Sequence, residues 1–209
     1  MKPALKSKAT YMNHSSRIGI HNLRSIHRLV GECRELGDDA TVWHRHLIEG
    51  LAGLTDGAVG FFGEVAGLRG DRTVHLGMSD WGWGCESERS LYYDNFADFT
   101  ENPAAYSSLV AYRRVFLADD GACASRTQLF DDRRWEVTKD FQKVLRPLRA
   151  DYVLWCNRSL PGATADVSIG IHLLRPGGRR DFGARDRAIV EEVQAGLAPL
   201  VGGPLASFA

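Results

Sequence analysis

The sequence predicts an α+β fold, an antiparallel sheet with helices on both faces, and three observations carry that prediction. Segments of alternating apolar and polar residues come in two pairs, 58–66 with 72–78 and 151–158 with 166–174, and turn residues bound each of them. Segments with apolar residues at helical spacing precede the first pair, separate the two pairs and close the chain. The chain has 209 residues, of which 44% are hydrophobic, enough for one domain with a sizeable core.

Taken in order, Leu23, Ile26, Val30 and Cys33 mark a first helix that ends at Leu36-Gly37, a glycine C-cap. Asp38 or Asp39 then caps a second helix with the stripe Trp43, Leu47, Gly50/Leu51 and Leu54. After Thr55-Asp56-Gly57, Val59, Phe61, Gly63 and Val65 alternate with Phe62 and Glu64 in the first strand. Leu68-Arg69-Gly70-Asp71 turns the chain into its partner. From Ser79 to Cys85 the chain is rich in Trp and Gly, and to about Thr100 it reads as polar and irregular. Asn102-Pro103 opens a helix through Tyr106, Leu109, Val110 and Arg113, and a further helix spans Asp132 to Leu145 before Pro147.

The second hairpin is the clearest. Pro161-Gly162-Ala163-Thr164 is its turn. Val167, Ile169, Ile171 and Leu173 point to one face of the last strand, and Ser168, Gly170 and His172 to the other. Phe182 leads into a final helix with the stripe Ile189/Val190, Val193, Leu197 and Leu200/Val201.

Bulk properties exclude several classes. Lys+Arg and Asp+Glu are equal at 26 each, so no net field or basic stripe points to nucleic acid or an acidic membrane surface. No apolar run approaches the roughly 18 residues of a membrane span. Met1–Thr10 carries Lys2, Lys6 and Lys8 with no apolar segment behind them, so it reads as a disordered leader rather than a secretory signal. Cys33, Cys85, Cys123 and Cys156 lie far apart without a CxxC pairing, and reduced thiols in a cytoplasmic protein are the simplest expectation.

The strand–strand–Phe–helix ending resembles the close of a GAF-type sensory domain. Other phrases resemble the amino-terminal GAF-like input domains of bacterial LuxR-type transcriptional regulators. They are Arg28 to Asp39, Trp43, Leu51 to Leu54, Arg126 to Leu129 with Asp131-Asp132-Arg133, Trp135, Arg146-Pro147, Asp151, Phe182 and Arg185-Asp186-Arg187. The resemblance covers residues 23–201. It implies a leader over 1–14, a GAF/PAS-like sensory domain over 15–201 and a short tail over 202–209. Two departures stand out. Gly183 occupies the position where such domains commonly place a Ser or Thr cap, with Asp186 three residues on to complement the helix. No helix-turn-helix follows in this sequence, so the expectation is no direct nucleic-acid binding by this chain. The resemblance further implies that the first and last helices pair and can form a homodimer bundle.

Residues with chemical potential are few and scattered in the sequence. His44 and His46 are two apart on a helix and point to nearly opposite sides, and His21 and His27 are six apart, so no metal or other cofactor is expected. There is no GxSxG elbow, GxGxxG or GxxxxGK[ST]. Cys85, in Trp81-Gly82-Trp83-Gly84-Cys85, is the one cysteine in a shaped loop. Some free-standing GAF-type proteins are methionine sulfoxide reductases that use a loop cysteine, but a packed, inert residue in a Gly-rich turn explains Cys85 as well.

What remains is a small-molecule pocket, which in this architecture lies between one sheet face and the irregular helices after the first hairpin. Trp83, Trp135, Trp155 and His172 are the candidate ligand-binding residues, with Trp81 and Phe141 nearby. Core packing accounts for any single aromatic equally simply, because each removes on the order of 150–250 Å² from water. The expectation is a non-enzymatic, cytoplasmic sensory domain that binds a small molecule. A small enzyme using Cys85 and a ligand-free interaction domain are the alternatives.

Overall fold

The computed structural model describes residues 18–37, 39–70, 73–161 and 166–201. The leader, the tail and residues 162–164 of the expected Pro161–Thr164 turn lie outside them. Five strands, β1 (Val59–Ala66), β2 (Val74–Trp81), β3 (Cys123–Ser125), β4 (Ala150–Ser159) and β5 (Val167–Pro176), form one sheet in the order β2-β1-β5-β4-β3. Every neighbouring pair is antiparallel.

Alternation divides the sheet between two cores. On one face Phe62, Leu154, Ile169, Ile171 and Leu173 pack beneath α1 (Ile20–Glu35), α2 (Ala40–Thr55) and α7 (Ala184–Leu197). Leu47, Ile48, Leu51, Ile189 and Val193 meet them there, all buried. Each such side chain contributes about 1.5–3 kcal/mol through burial. On the other face Phe61, Val153, Trp155 and Leu174 pack against Tyr106, Tyr112, Phe116, Phe130, Trp135, Val144 and Leu145. Tyr112 and Phe116 come from α4 (Ser107–Ala118), Tyr106 from just before it, Phe130 from the link between α5 (Arg126–Leu129) and α6 (Asp132–Glu136), Trp135 from α6, and Val144 and Leu145 from the turn that follows.

The helix ends follow the local chemistry. Asp39 caps α2, its carboxylate accepting the backbone N–H groups of Thr41 at 3.0 Å and Val42 at 3.4 Å. At α7 the Gly183 N–H donates to Asp186 Oδ2 at 3.0 Å, so the aspartate completes a cap that glycine cannot. The guanidinium of Arg175, itself buried, ties three elements together. It donates to the carbonyls of Thr55, Asp56 and Arg180, lies over the Phe182 ring at 4.0 Å and pairs with buried Asp186 at 3.4 Å. The last carbonyls of α2, which lack intrahelical partners, are thereby satisfied.

Three expectations are corrected. Residues 86–101, read as irregular, form α3 (Glu86–Glu101), a four-turn helix with Glu86 and Glu88 in the first turn, where negative charge suits the helix dipole. The helix expected to start at Asn102-Pro103 is instead a 3₁₀ turn, Pro103–Ala105, an extended Tyr106, and then α4. The single helix expected over 132–145 is split into α6 and a π turn, Asp140–Leu145. Thr138 makes the split: its Oγ1 donates to the Trp135 carbonyl at 2.8 Å and accepts the Phe141 N–H at 3.1 Å. β3 is too short for alternation to reveal and was not expected.

The thiols also depart from expectation. Cys123 and Cys156 are directly opposed on β3 and β4, Cα atoms 4.4 Å apart, and are joined in a disulfide; Cys33 and Cys85 are free. Separation along the chain carries no information about such a cross-strand pair.

Candidate functional site

The second sheet face is not fully covered. Gly63 of β1 and Gly170 of β5 are register partners, and neither contributes a side chain above the sheet. Around them opens a chamber of about 280 Å³, near the lower end of ligand-sized cavities at roughly 300 Å³. Phe61 and Val65 of β1 flank its floor, and Asn157 of β4 lies beside Gly170. Phe96 and Phe99 of α3 form one wall, and Leu109 and Val110 of α4 with Pro103 and Ala104 form another. Thr73, His75 and Met78 of the β1–β2 hairpin close the rim.

The walls are held by stacked rings and a few polar ties. Phe61 stacks on Tyr92 at 4.3 Å, Phe99 packs on Tyr106 at 4.7 Å, and His75 meets Phe96 edge-on at 4.6 Å. Tyr106 donates its hydroxyl to Asp98 at 2.7 Å, and Lys139 pairs with the same carboxylate at 2.5 Å, which joins α3 to the turn after α6. Arg113 of α4 donates to the carbonyls of Arg69 and Gly70, pinning the hairpin turn over the chamber. The Tyr112 hydroxyl accepts the Asn157 backbone N–H at 2.5 Å.

A smaller annex of about 40 Å³ meets the chamber at Phe61, Phe99 and His172. It is lined further by Tyr92, Trp135, Trp155, Ser108 and Asp140. Asp140 Oδ1 accepts both the backbone N–H and the hydroxyl of Ser108, serving the amino terminus of α4, where Tyr106 offers no side-chain cap. Burial raises the Asp140 carboxyl above its ordinary value, against the Ser108 hydrogen bonds that lower it. Burial lowers His172 to about 4, reinforced by His75, which burial also lowers. Both imidazoles facing the chamber are therefore neutral at pH 7.

Of the residues singled out from sequence, Trp135, Trp155 and His172 meet at the annex, Trp135 and Trp155 edge to face at 6.3 Å. Trp83 does not join them. It packs against Phe61 and Tyr92 at 5.5 Å each and lines a separate small recess with Ala58, Leu148 and Pro176. Trp81 packs toward the opposite core. His44 and His46 have separate partners, Ser79 Oγ at 2.9 Å and Glu32 at 2.8 Å. Cys85 is exposed at the start of α3, 3.0 Å from Ser87 Oγ, and lines neither cavity. Among the described residues no group of three or more His, Cys, Asp or Glu could hold a metal ion, and no helix is long and apolar enough to cross a membrane.

Asp140 and Asn157 had no sequence signal, because only the packing of distant elements turns them to one space, whereas Phe96 and Phe99 follow Tyr92 at helical spacing in a segment read as irregular. Gly63 and Gly170 did have one: glycine inside a strand marks a close approach or a ligand.

Among solved structures the fold is similar to the crystal structure of the LBD (ligand-binding) domain of VqsR from Pseudomonas aeruginosa, with a TM-score of 0.53 and 15% identity over 87% of this chain and 94% of that one. No protein-family model matches the chain, and no curated protein matches it in sequence.

Proposed function

We propose that this chain is a non-enzymatic sensory domain that binds a small, partly apolar molecule in the chamber above Gly63 and Gly170, related to the input domains of LuxR-type regulators. The observation that carries the reading is the chamber itself: two facing strand glycines remove side chains where the rest of that sheet face is densely packed. Similarity to a domain named for ligand binding supports it. In this reading Trp135, Trp155 and His172 contact the ligand, and Trp83 supports Phe61 and Tyr92 from behind. Signalling passes through α1 and α7, which pack together over the opposite core and supply the surface on which two copies pair.

The enzyme alternative finds less support. The Cys85 thiol has Ser87 and nearby backbone as its hydrogen-bonding partners, which lower its pKa but supply no general base.

The test is a metabolite screen by thermal shift and tryptophan fluorescence, repeated on Gly170→Val. A ligand of the folded state raises Tm with its excess over Kd. The expected result is a set of partly apolar compounds that stabilise the unaltered chain and lose most of that effect in Gly170→Val, whose methyl groups occupy the floor. Compounds that stabilise both proteins equally place the site elsewhere, and a screen without any shift removes the ligand reading.

A further inference from the structure

Asp140 is 4% exposed, yet only one of its carboxylate oxygens is used. Oδ2 is buried and has no hydrogen-bond partner among the described residues. The indole N–H of Trp135, 1% exposed, is likewise without one. Both residues line the annex, one carrying an unanswered acceptor and the other an unanswered donor. Buried polar groups are overwhelmingly satisfied in native proteins, and exceptions point to something that completes them.

The surroundings select the charge of that missing group. Among the described residues no Lys or Arg lines the annex. Lys139, adjacent in sequence, is engaged with Asp98 and lies over the Tyr106 ring at 4.5 Å, and Arg113 holds the hairpin carbonyls. His172 does not supply a positive charge, because burial keeps it neutral. Five of the other lining residues offer π-systems, Phe61, Tyr92, Phe99, Trp135 and Trp155, and the rest of the wall is chiefly aliphatic, Val144, Leu145, Val153 and Leu174. A carboxylate among aromatic faces is matched by a cation, which gains from both. At about 40 Å³ the annex has room for roughly three water-sized groups, the size of a compact polar head.

We propose that the ligand is an amphipathic amine, its ammonium head seated in the annex against Asp140 Oδ2, its neighbouring oxygen accepting from Trp135 Nε1, and its alkyl tail lying in the chamber. An alkyl amino alcohol or amino ketone has this chemistry. The proposal rests on the chamber being a ligand site and adds the class of ligand it takes. The competing account is a neutral head: a protonated Asp140 would donate to it, and the charge of the ligand would then be immaterial.

Isothermal titration calorimetry of the full chain at pH 7 separates the two, with a vicinal aminooctanol, octylamine, octanol and octanoate as probes. The amines are expected to bind about tenfold or more tighter than octanol, with octanoate weakest. The aminooctanol should exceed octylamine, and that margin should close in Trp135→Phe. Asp140→Asn keeps an acceptor for Ser108 and removes the charge, and it should erase the preference for amines. The ranking on the unaltered chain decides the matter even where Asp140→Asn does not fold. If octanol binds as tightly as the amines, the amine proposal is overturned and the chamber reading stands. If none of the four binds while the metabolite screen yields ligands, the proposal alone falls. If neither experiment finds a ligand, both fall.

Discussion

Burial sets the charge of the histidines closest to the sheet, and it does so in one direction. His172 on the chamber face and His44 beneath the opposite core are each lowered to about 4, in both cases chiefly by loss of solvent. An imidazole of the unfolded chain titrates at about 6.5. Between those values the unfolded state binds protons that the folded state refuses, so stability rises with pH across that window. The contribution is complete above about pH 6.5 and is lost as pH falls toward 4. For His172 alone it is on the order of 3 kcal/mol at most. Urea titrations at pH 7 and pH 4.5 should therefore show a smaller drop in stability for His172→Gln than for the unaltered chain. Parallel losses in the two proteins would mean that His172 is hydrated and free to protonate.

At the scale of elements, the passage from β2 to α3 decides whether a chamber exists. The chain must cross from the sheet edge to the wall that carries Phe96 and Phe99, and it turns at Gly82, with φ +99°. A Cβ there would run into the backbone carbonyl of Ala58, which cannot move without disturbing the start of β1. Gly82→Ala is expected to cost about 1–3 kcal/mol and to loosen α3 against the sheet. Chemical denaturation measures the loss, and amide exchange in 86–101 shows whether α3 opens first; an unchanged midpoint would mean that the turn relaxes freely. The same element shows why part of the fold was hidden. The alternation of β1 and β5 survives inspection because one face of each is buried against aliphatic helices. None of the described side chains of α3 is fully buried, and its aromatic residues at 92, 96 and 99, although at helical spacing, are interleaved with Asp94, Asn95, Asp98 and other polar residues that give the segment little apolar contrast.

At the scale of the molecule, two cores share one sheet and differ in kind. The core beneath α1, α2 and α7 is largely aliphatic. The other is aromatic, assembled from short helices and turns, and contains the cavities. The Cys123–Cys156 bridge ties the edge strand β3 to β4 on the aliphatic side of the sheet, across 33 residues that include α5, α6 and the π turn. Opening a loop of that size is expected to cost roughly 3–4 kcal/mol by constraining the unfolded chain less. Cys123→Ser, or a reducing agent, should lower the denaturation midpoint by the corresponding amount. Coincident curves with and without reductant would show that the two thiols are not joined in solution.

The sequence by itself determined the fold class, the four long strands, the helices that bury aliphatic stripes and the absence of any nucleotide, metal or hydrolase motif. Periodicity is a local property, and a residue such as Ile171 or Leu47 declares its buried face through its neighbours along the chain. Gly170 and His172 were legible as a face with room on it for the same reason. Only the tertiary structure decided what occupies that room. Asp140 meets Ser108, and Cys123 meets Cys156, across 32 and 33 residues respectively. Trp135 and Trp155 turn toward His172 while Trp83 turns away. Such meetings depend on how helices settle on the sheet, and settling is governed by volume and by hydrogen bonds between distant elements, which leave no period in the chain.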